Sequence, residues 1–398
     1  MKKLALTTAL LIQFAGFCFS VDFGLLVEQK IEAENDIFTY TPGFGPWFSW
    51  NGEGGVSLYL SGLFQLPYHN YSGSNPNESG FGDPAFVPEL TRSSLGYRAN
   101  QRFYIEAGRV QYADALGLTA SGIFDGLRFE AVLPSGVLSV GAYYTGLLYK
   151  ESAKILMTGE DFLKYAEPWD YGDFGNYFAS RRFFGVLGWN VPILEFHSLS
   201  LELLAQFDVN GKDEFLHSQY GEILFEFFAG RRVVIHIGGI LEVLEGKDDF
   251  AAGFGGLARF GLEVPGSLDD NLQFSGKFGS GRWNESFYAF VPVTSAAQGA
   301  VFPGTISGLV MASVDYSARF HHTLLAQAGF SYFMRTYEDP DADGSRYGGE
   351  FRASVIWQPL DDIRLNLGGG AFFPGMGDVY PSNTDTMWKI TAALSVSL

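Results

Sequence analysis

Residues 386–398, TMWKITAALSVSL, decide the fold. Trp388, Ile390, Ala392, Leu394, Val396 and Leu398 form one alternate set, and Lys389, Thr391, Ala393, Ser395 and Ser397 form the other. Side chains on a strand point to opposite faces with period two, so this segment is a strand with one wholly apolar face. Working back from it, the same alternation recurs. Val56, Leu58, Leu60, Phe64 and Leu66 oppose Ser57, Tyr59, Ser61 and Gln65. Leu199, Leu201, Leu203, Ala205 and Phe207 oppose Ser200, Glu202, Gln206 and Asp208. Tyr347, Phe351, Ala353, Val355 and Trp357 oppose Glu350, Arg352 and Ser354. The chain holds about 16 to 18 such segments, each near the ~10 residues that a tilted membrane strand needs.

Composition agrees. Aromatics are 16% of the chain, glycines number 50, and charged residues are only 18%, below the roughly 25% usual in soluble domains. Such a balance favours many strands and turns over helices. Short turns are expected around Pro134-Ser135-Gly136, Asn190-Val191-Pro192, Ala229-Gly230-Arg231 and 359–362. Longer connections fall at 67–84, 150–176, 280–305, 337–346 and 374–385. Two uncharged stretches, 131–149 and 290–314, are long enough to span a bilayer as helices, but proline and glycine interrupt both.

Residues 1–20, MKKLALTTALLIQFAGFCFS, have a basic start, an apolar stretch and small residues before Val21, the pattern of a cleaved export signal. The expected domains are therefore a signal peptide at 1–20 and one β-barrel domain at 21–398. Cys18 is the only cysteine and leaves with the signal, so disulfides and thiolate chemistry are not expected beyond it. The formal charge of −18 repels phosphate backbones and argues against nucleic-acid binding.

Two all-β architectures can carry these alternating strands: a soluble sandwich or propeller, or a transmembrane antiparallel barrel in up-and-down meander. Three features favour the barrel. Apolar faces end in Trp189, Tyr332, Trp357 and Trp388, as an interfacial aromatic belt would. The opposite faces carry Arg and Glu at mid-strand, which suits a wet lumen. The signal supplies a route out of the cytoplasm. The chain beyond the signal resembles bacterial outer-membrane β-barrels. That resemblance implies closure of the last strand on the first, insertion into outer-membrane lipid by the barrel-assembly machinery, and localisation in the cell outer membrane. Members of the group commonly end in an aromatic residue read by that machinery, whereas this chain ends in Leu398.

A local resemblance lies in 102–114, RFYIEAGRVQYAD, and 122–129, GIFDGLRF. This pair is similar to the strand-loop-strand segment of alginate-export-type porins, where Gly-Arg and Asp-Gly-Leu flank a constriction. Strict alternation turns Arg109 outward unless Gly108 forms a bulge; alternatively Arg109, Asp114 and Asp125 tie down a loop by ion pairing. Lumen-lining candidates are Arg102, Tyr104, Glu106, Arg128, Glu130, Arg182, Glu350, Arg352 and Arg364. Lys389, Glu202, Glu222 and Glu226 share the same parity. Opposed ladders of Arg and Glu would set a transverse field across the narrowest ring.

Loop 150–176 is expected to fold inward and narrow the lumen or to cap it from outside, with Trp169, Asp170, Tyr171 and Asp173 as constriction candidates. In DPDADGSRYGGE, 339–350, the carboxylates Asp339, Asp341 and Asp343, followed by Glu350, have the spacing of a calcium loop, although strands flank it. The six histidines lack zinc-site spacing, and no nucleophile elbow or phosphate loop appears. The sequence therefore points to a porin-like channel for passive diffusion of small hydrophilic solutes, acidic saccharides among them. Catalysis and a required cofactor are not expected. The competing readings are a surface adhesin on a barrel scaffold and a hydrophobic-solute transporter.

Overall fold

The computed structural model describes residues 20–35, 37–71, 80–81, 86–169, 173–194, 197–211, 215–247, 250–266, 268–282, 288–337 and 344–398. The expected signal peptide thus lies outside the described residues, save Ser20.

Period-two alternation produces a single sheet of twenty strands, and eighteen of them close into a ring. In chain order they begin with β1 (Ser20–Glu34), β2 (Ile37–Asn51) and β3 (Val56–Gln65). Two short strands outside the ring follow, β4 (Tyr68–Tyr71) and β5 (Gly80–Phe81). The ring resumes with β6 (Val87–Arg98), β7 (Phe103–Ala113), β8 (Ser121–Leu133) and β9 (Gly136–Tyr144). It continues through β10 (Arg182–Leu194), β11 (His197–Asp208), β12 (His217–Ala229), β13 (Val233–Glu245) and β14 (Phe250–Val264). It ends with β15 (Asp270–Gly279), β16 (Leu309–His321), β17 (Leu324–Arg335), β18 (Arg346–Leu360), β19 (Ile363–Phe373) and β20 (Met387–Ser397). Every ring strand pairs antiparallel with its sequence neighbour in the ring.

Closure is made by the segment quoted first. β20 pairs with β1 from Leu26↔Ser397 to Glu34↔Lys389. Leu398 and Leu25 exchange both backbone hydrogen bonds at 2.9 Å. A closed ring leaves no strand edge whose N–H and C=O groups lipid could not satisfy.

Outward parity carries the apolar set: Leu203 and Leu241 are each 60% exposed, and Ile390 is 58% exposed. Trp189 and Trp357 stand near the rim of short turns, and Trp388 and Tyr332 near the rim of long loops, giving two aromatic belts. Among the described residues no helix is long and apolar enough to cross a membrane.

Short turns at 134–135, 230–232, 322–323 and 361–362 share one side. Gly230, with φ +70°, supplies the left-handed position in one of them. One expected turn is displaced. Asn190, Val191 and Pro192 stay inside β10, which runs on to Leu194 before β11 begins at His197. Pro192 sits beside a register shift between Pro192 and Leu194, where its missing N–H is tolerated.

The packed core is not at the centre of a sandwich. It lies between the inner wall and three segments whose described residues fold inward: 114–120, 145–181 (described at 145–169 and 173–181) and 280–308 (described at 280–282 and 288–308). One cluster joins Val110, Phe124, Tyr143, Phe184 and Leu204 of the wall to Leu116, Leu118, Leu148, Ile155, Met157, Phe290 and Val293 of the segments.

Candidate functional site

The first inward segment is a tight turn between β7 and β8. Asp114 accepts backbone N–H bonds from Leu118 at 3.0 Å, Thr119 at 3.0 Å and Ala120 at 2.6 Å. Burial nevertheless pushes the Asp114 carboxyl above its ordinary range, because loss of water outweighs those three donors. The Thr119 hydroxyl donates to Glu222 Oε1 at 2.6 Å and ties the turn to β12.

The second segment, 145–181, carries a helix at Gly159–Ala166. Thr158 and Asp161 form its capping box: Thr158 Oγ1 accepts from the Asp161 N–H at 3.2 Å, and Asp161 Oδ2 accepts from the Thr158 N–H at 3.0 Å. Asp161 also pairs with Arg182, which pairs in turn with Asp208. Arg182 is fully buried. It therefore fastens the segment to the wall and does not line open lumen as its parity implied. The ammonium of Lys150 donates to the carbonyls of Lys164 (2.9 Å) and Glu167 and to Asn176 Oδ1 (2.6 Å). Burial lowers the Lys150 ammonium below its usual range and pushes the Tyr177 phenol up to about 12. Tyr177 therefore stays a donor at neutral pH, with Pro88 O at 2.5 Å. Trp169 packs edge-on against Tyr177, and Asp173 Oδ1 accepts from the Gly175 N–H at 2.9 Å. Asp170 and Tyr171 lie outside the described residues. The segment folds inward and packs on β7 to β12.

The third segment runs across the lumen. Val291 donates its N–H to Glu242 at 2.9 Å and accepts from the Tyr220 hydroxyl at 2.5 Å. Val293 donates to Thr119 O at 2.7 Å and Ser295 to Lys154 O at 2.9 Å, so the three segments lean on one another. Further along, Lys277 Nζ donates to Gln298 Oε1 at 3.1 Å. The N–H groups of Ala300, Val301 and Phe302 converge on the Glu350 carboxylate. Phe302 then stacks on Phe333 at 4.3 Å.

Among the described residues two sizeable cavities remain open, and each is lined by both signs of charge. A cavity of 530 Å³ is lined by Arg352, Lys389, Asp315, Ser354, Gln327 and Ala300, among others. Lys277 stands in the electrostatic reach of Arg259, Arg352 and Asp315. Arg352 pairs with Asp315 and donates to Ser331 Oγ at 2.6 Å. Lys389 bridges Glu32 at 2.7 Å and Glu34 at 2.9 Å. A second cavity of 330 Å³ is lined by Gln111, Tyr112, Arg128, Tyr143 and Glu202. Arg259, Lys277, Arg352 and Lys389 stand on β14 to β20 together with Asp315 and the buried Glu350, whereas Glu202, Glu222 and Glu242 sit on β11 to β13, the last two buried under the inward segments. The consecutive glycines Gly368, Gly369 and Gly370 keep the floor of the larger cavity open.

The remaining expected site residues divide. Glu106 accepts from Arg92 Nη2 at 3.2 Å, and Arg98 lies over the Tyr104 ring at 5.2 Å. Arg128 pairs with Glu130 on the same strand. Arg364 is exposed near the short-turn rim and donates to Asn366 at 3.2 Å. Arg102 is not on a strand: β7 starts at Phe103, and Arg102 lies in the preceding exposed turn with its N–H on Asn100 Oδ1. Arg109 pairs with Asp125 at 2.9 Å and donates to the carbonyls of Leu90 and Leu147. Pairing of β7 with β8 runs through Gly108 without a shift, so loop fastening accounts for Arg109 and no bulge enters that ladder. Asp339, Asp341 and Asp343 lie outside the described residues, and Glu350 is committed to the three N–H groups. Arg259 and Lys277 were missed, although their places in GLARFGLEV and LQFSGKFG alternate inward like the others.

No protein-family profile matches the chain, and no curated protein matches it by sequence. Solved structures do match by fold. OccK5 (OpdH) of Pseudomonas aeruginosa superposes with a TM-score of 0.62 at 10% identity, covering 95% of this chain and 98% of that one. OpdK of Pseudomonas aeruginosa, solved with vanillate, gives 0.63 at 12% identity over 95% and 98%. OccK3 (OpdO) of the same organism gives 0.62 at 11% over 95% and 96%. The likeness spans the whole ring and establishes a porin-like eighteen-strand barrel.

Proposed function

We propose that this chain is an outer-membrane channel that lets small hydrophilic anions, acidic saccharides included, diffuse down their gradient. The observation that carries this reading is the basic wall of the 530 Å³ cavity, where Arg352 and Lys389 line the space against one carboxylate, Asp315, and Lys277 stands within electrostatic reach of Arg352 and Arg259. Cations fixed on a low-dielectric wall raise the local concentration of anions and favour their entry. An apolar belt around a closed ring suits outer-membrane lipid, and insertion there would use the barrel-assembly machinery. A gradient-driven route asks for no cofactor and no catalytic group. A lumen plug of the kind a hydrophobic-solute transporter uses is not built from the first residues described, since β1 enters the ring at Ser20.

The test is single-channel recording of the refolded chain in a planar bilayer under a potassium chloride gradient. Steady openings with a reversal potential of the sign for chloride support the reading. Silence from barrels verified as folded, or a cation-selective potential, overturns it.

A further inference from the structure

Glu350 on β18 is fully buried although it is ionisable. Its Oε1 accepts the Ala300 N–H at 2.7 Å, and its Oε2 accepts those of Val301 at 3.0 Å and Phe302 at 2.7 Å. Three successive amides converge on one carboxylate, the way backbone nests receive anions. The residue before them is built to the same contact: a Cβ on Gly299 would stand 2.4 Å from Glu350 Oε2 and 2.7 Å from the Phe302 Cβ. Only glycine brings the chain this close.

This grip has two effects at the cavity. It places Ala300 on the lining. It also sets Gln298 where its Oε1 receives the Lys277 ammonium. Without the carboxylate, the buried N–H groups of Val301 and Phe302 and the half-buried one of Ala300 lose their acceptor, and the segment gains by moving into water. Lys277 would then face the lumen uncapped.

We propose that Glu350 is a positioning residue that sets the width and ion preference of the lumen, by holding residues 298–302 as a fixed lip against the basic wall. This rests on the channel reading above. The lip narrows the passage and masks one cation; its release widens the passage and strengthens anion preference.

Two variants approach the contact from opposite sides. Glu350→Ala removes the acceptor and a negative charge. Gly299→Val pushes the chain off the carboxylate and leaves every charge in place. Both are expected to raise single-channel conductance about twofold, to admit larger neutral polymers and to move the reversal potential further toward chloride. Glu350→Gln, with one carbonyl acceptor, falls between and serves where Glu350→Ala fails to fold. Amide hydrogen exchange at Ala300, Val301 and Phe302 is read in parallel and is expected to speed up at least tenfold in Gly299→Val. A conducting wild type whose folded variants keep its conductance, polymer cut-off and potential overturns the latch. A silent wild type overturns the channel reading instead; exchange then decides the latch, and unchanged protection in Gly299→Val overturns it.

Discussion

Arg182 shows why a side chain of correct parity need not line the lumen. It sits on an inward position of β10, yet Asp161 comes from a segment that returns to cover it, and Asp208 faces it from β11. Breaking a buried pair by removing one partner leaves the other charge stranded, at a cost of about 3–5 kcal/mol. Arg182→Met is expected to lower the urea midpoint of the refolded barrel accordingly, with most of the loss recovered when Asp161→Asn and Asp208→Asn are added. A different residue-scale contact responds to pH. Asp378 Oδ1 accepts the N–H groups of Arg346 at 2.7 Å and Ser345 at 2.8 Å, and Oδ2 accepts from Arg346 Nε at 2.8 Å. The Arg346 N–H and guanidinium hold the Asp378 carboxyl below the usual carboxylate range. A depressed carboxyl contributes stability above its unfolded pKa and loses it as pH falls through the lower folded value. The connections after β17 and β19 should therefore uncouple only in acid below the ordinary carboxyl range. Hydrogen exchange at Ser345 and Arg346 measures this, and Asp378→Asn should show the uncoupled rate already at neutral pH.

Among the elements, the strands and the positions of the long connections were legible, whereas what those connections pack against was not. Alternation is a local property, since one apolar face against lipid imposes period two along each strand. Residues 386–398 disclosed a closing strand because all six outward positions were apolar. The turn expected at Asn190–Val191–Pro192 failed because proline was taken as punctuation, whereas a bulge lets β10 carry it. The segments 145–181 and 280–308 have no periodicity to betray their path, and their contacts lie far off in sequence. Glu350 is 50 residues from the first amide it binds. Lumen parity was thus readable for Arg352 and Lys389, but which inward groups stay wet was decided by the returning loops. A strand-scale prediction follows from outward parity. Leu203→Arg at mid-β11 should cost about 2–4 kcal/mol of stability in lipid vesicles, because an arginine there meets hydrocarbon. Serine at the neighbouring inward Leu204 should fail differently, by emptying the packing around Phe184 and Tyr143. Equilibrium unfolding in vesicles of graded thickness separates the two, since only Leu203→Arg should depend on thickness.

For the whole molecule, the decisive property is which charges the inward segments leave on the open lumen. The chain is acidic overall at −18, yet on the lining of the larger cavity Arg352 and Lys389 stand against a single carboxylate, Asp315. Part of that acidity does not reach open lumen, because Glu222, Glu242 and Glu350 are spent on hydroxyl and backbone donors of the inward segments. Neutralising the wall with Lys277→Gln and Arg352→Gln together is expected to abolish chloride preference while conductance stays within about twofold of wild type, checked by reversal potential. The third segment also has a mechanical consequence. It is anchored to β12 and β13 through Tyr220 and Glu242, and to β18 through Glu350, so it forms a chord across the tube. A hollow cylinder flattens easily under sideways load, and a chord under tension or compression resists that ovalisation. Lateral pressure from the bilayer would then be borne partly by the loop, making the aperture insensitive to membrane stretch for as long as both ends hold.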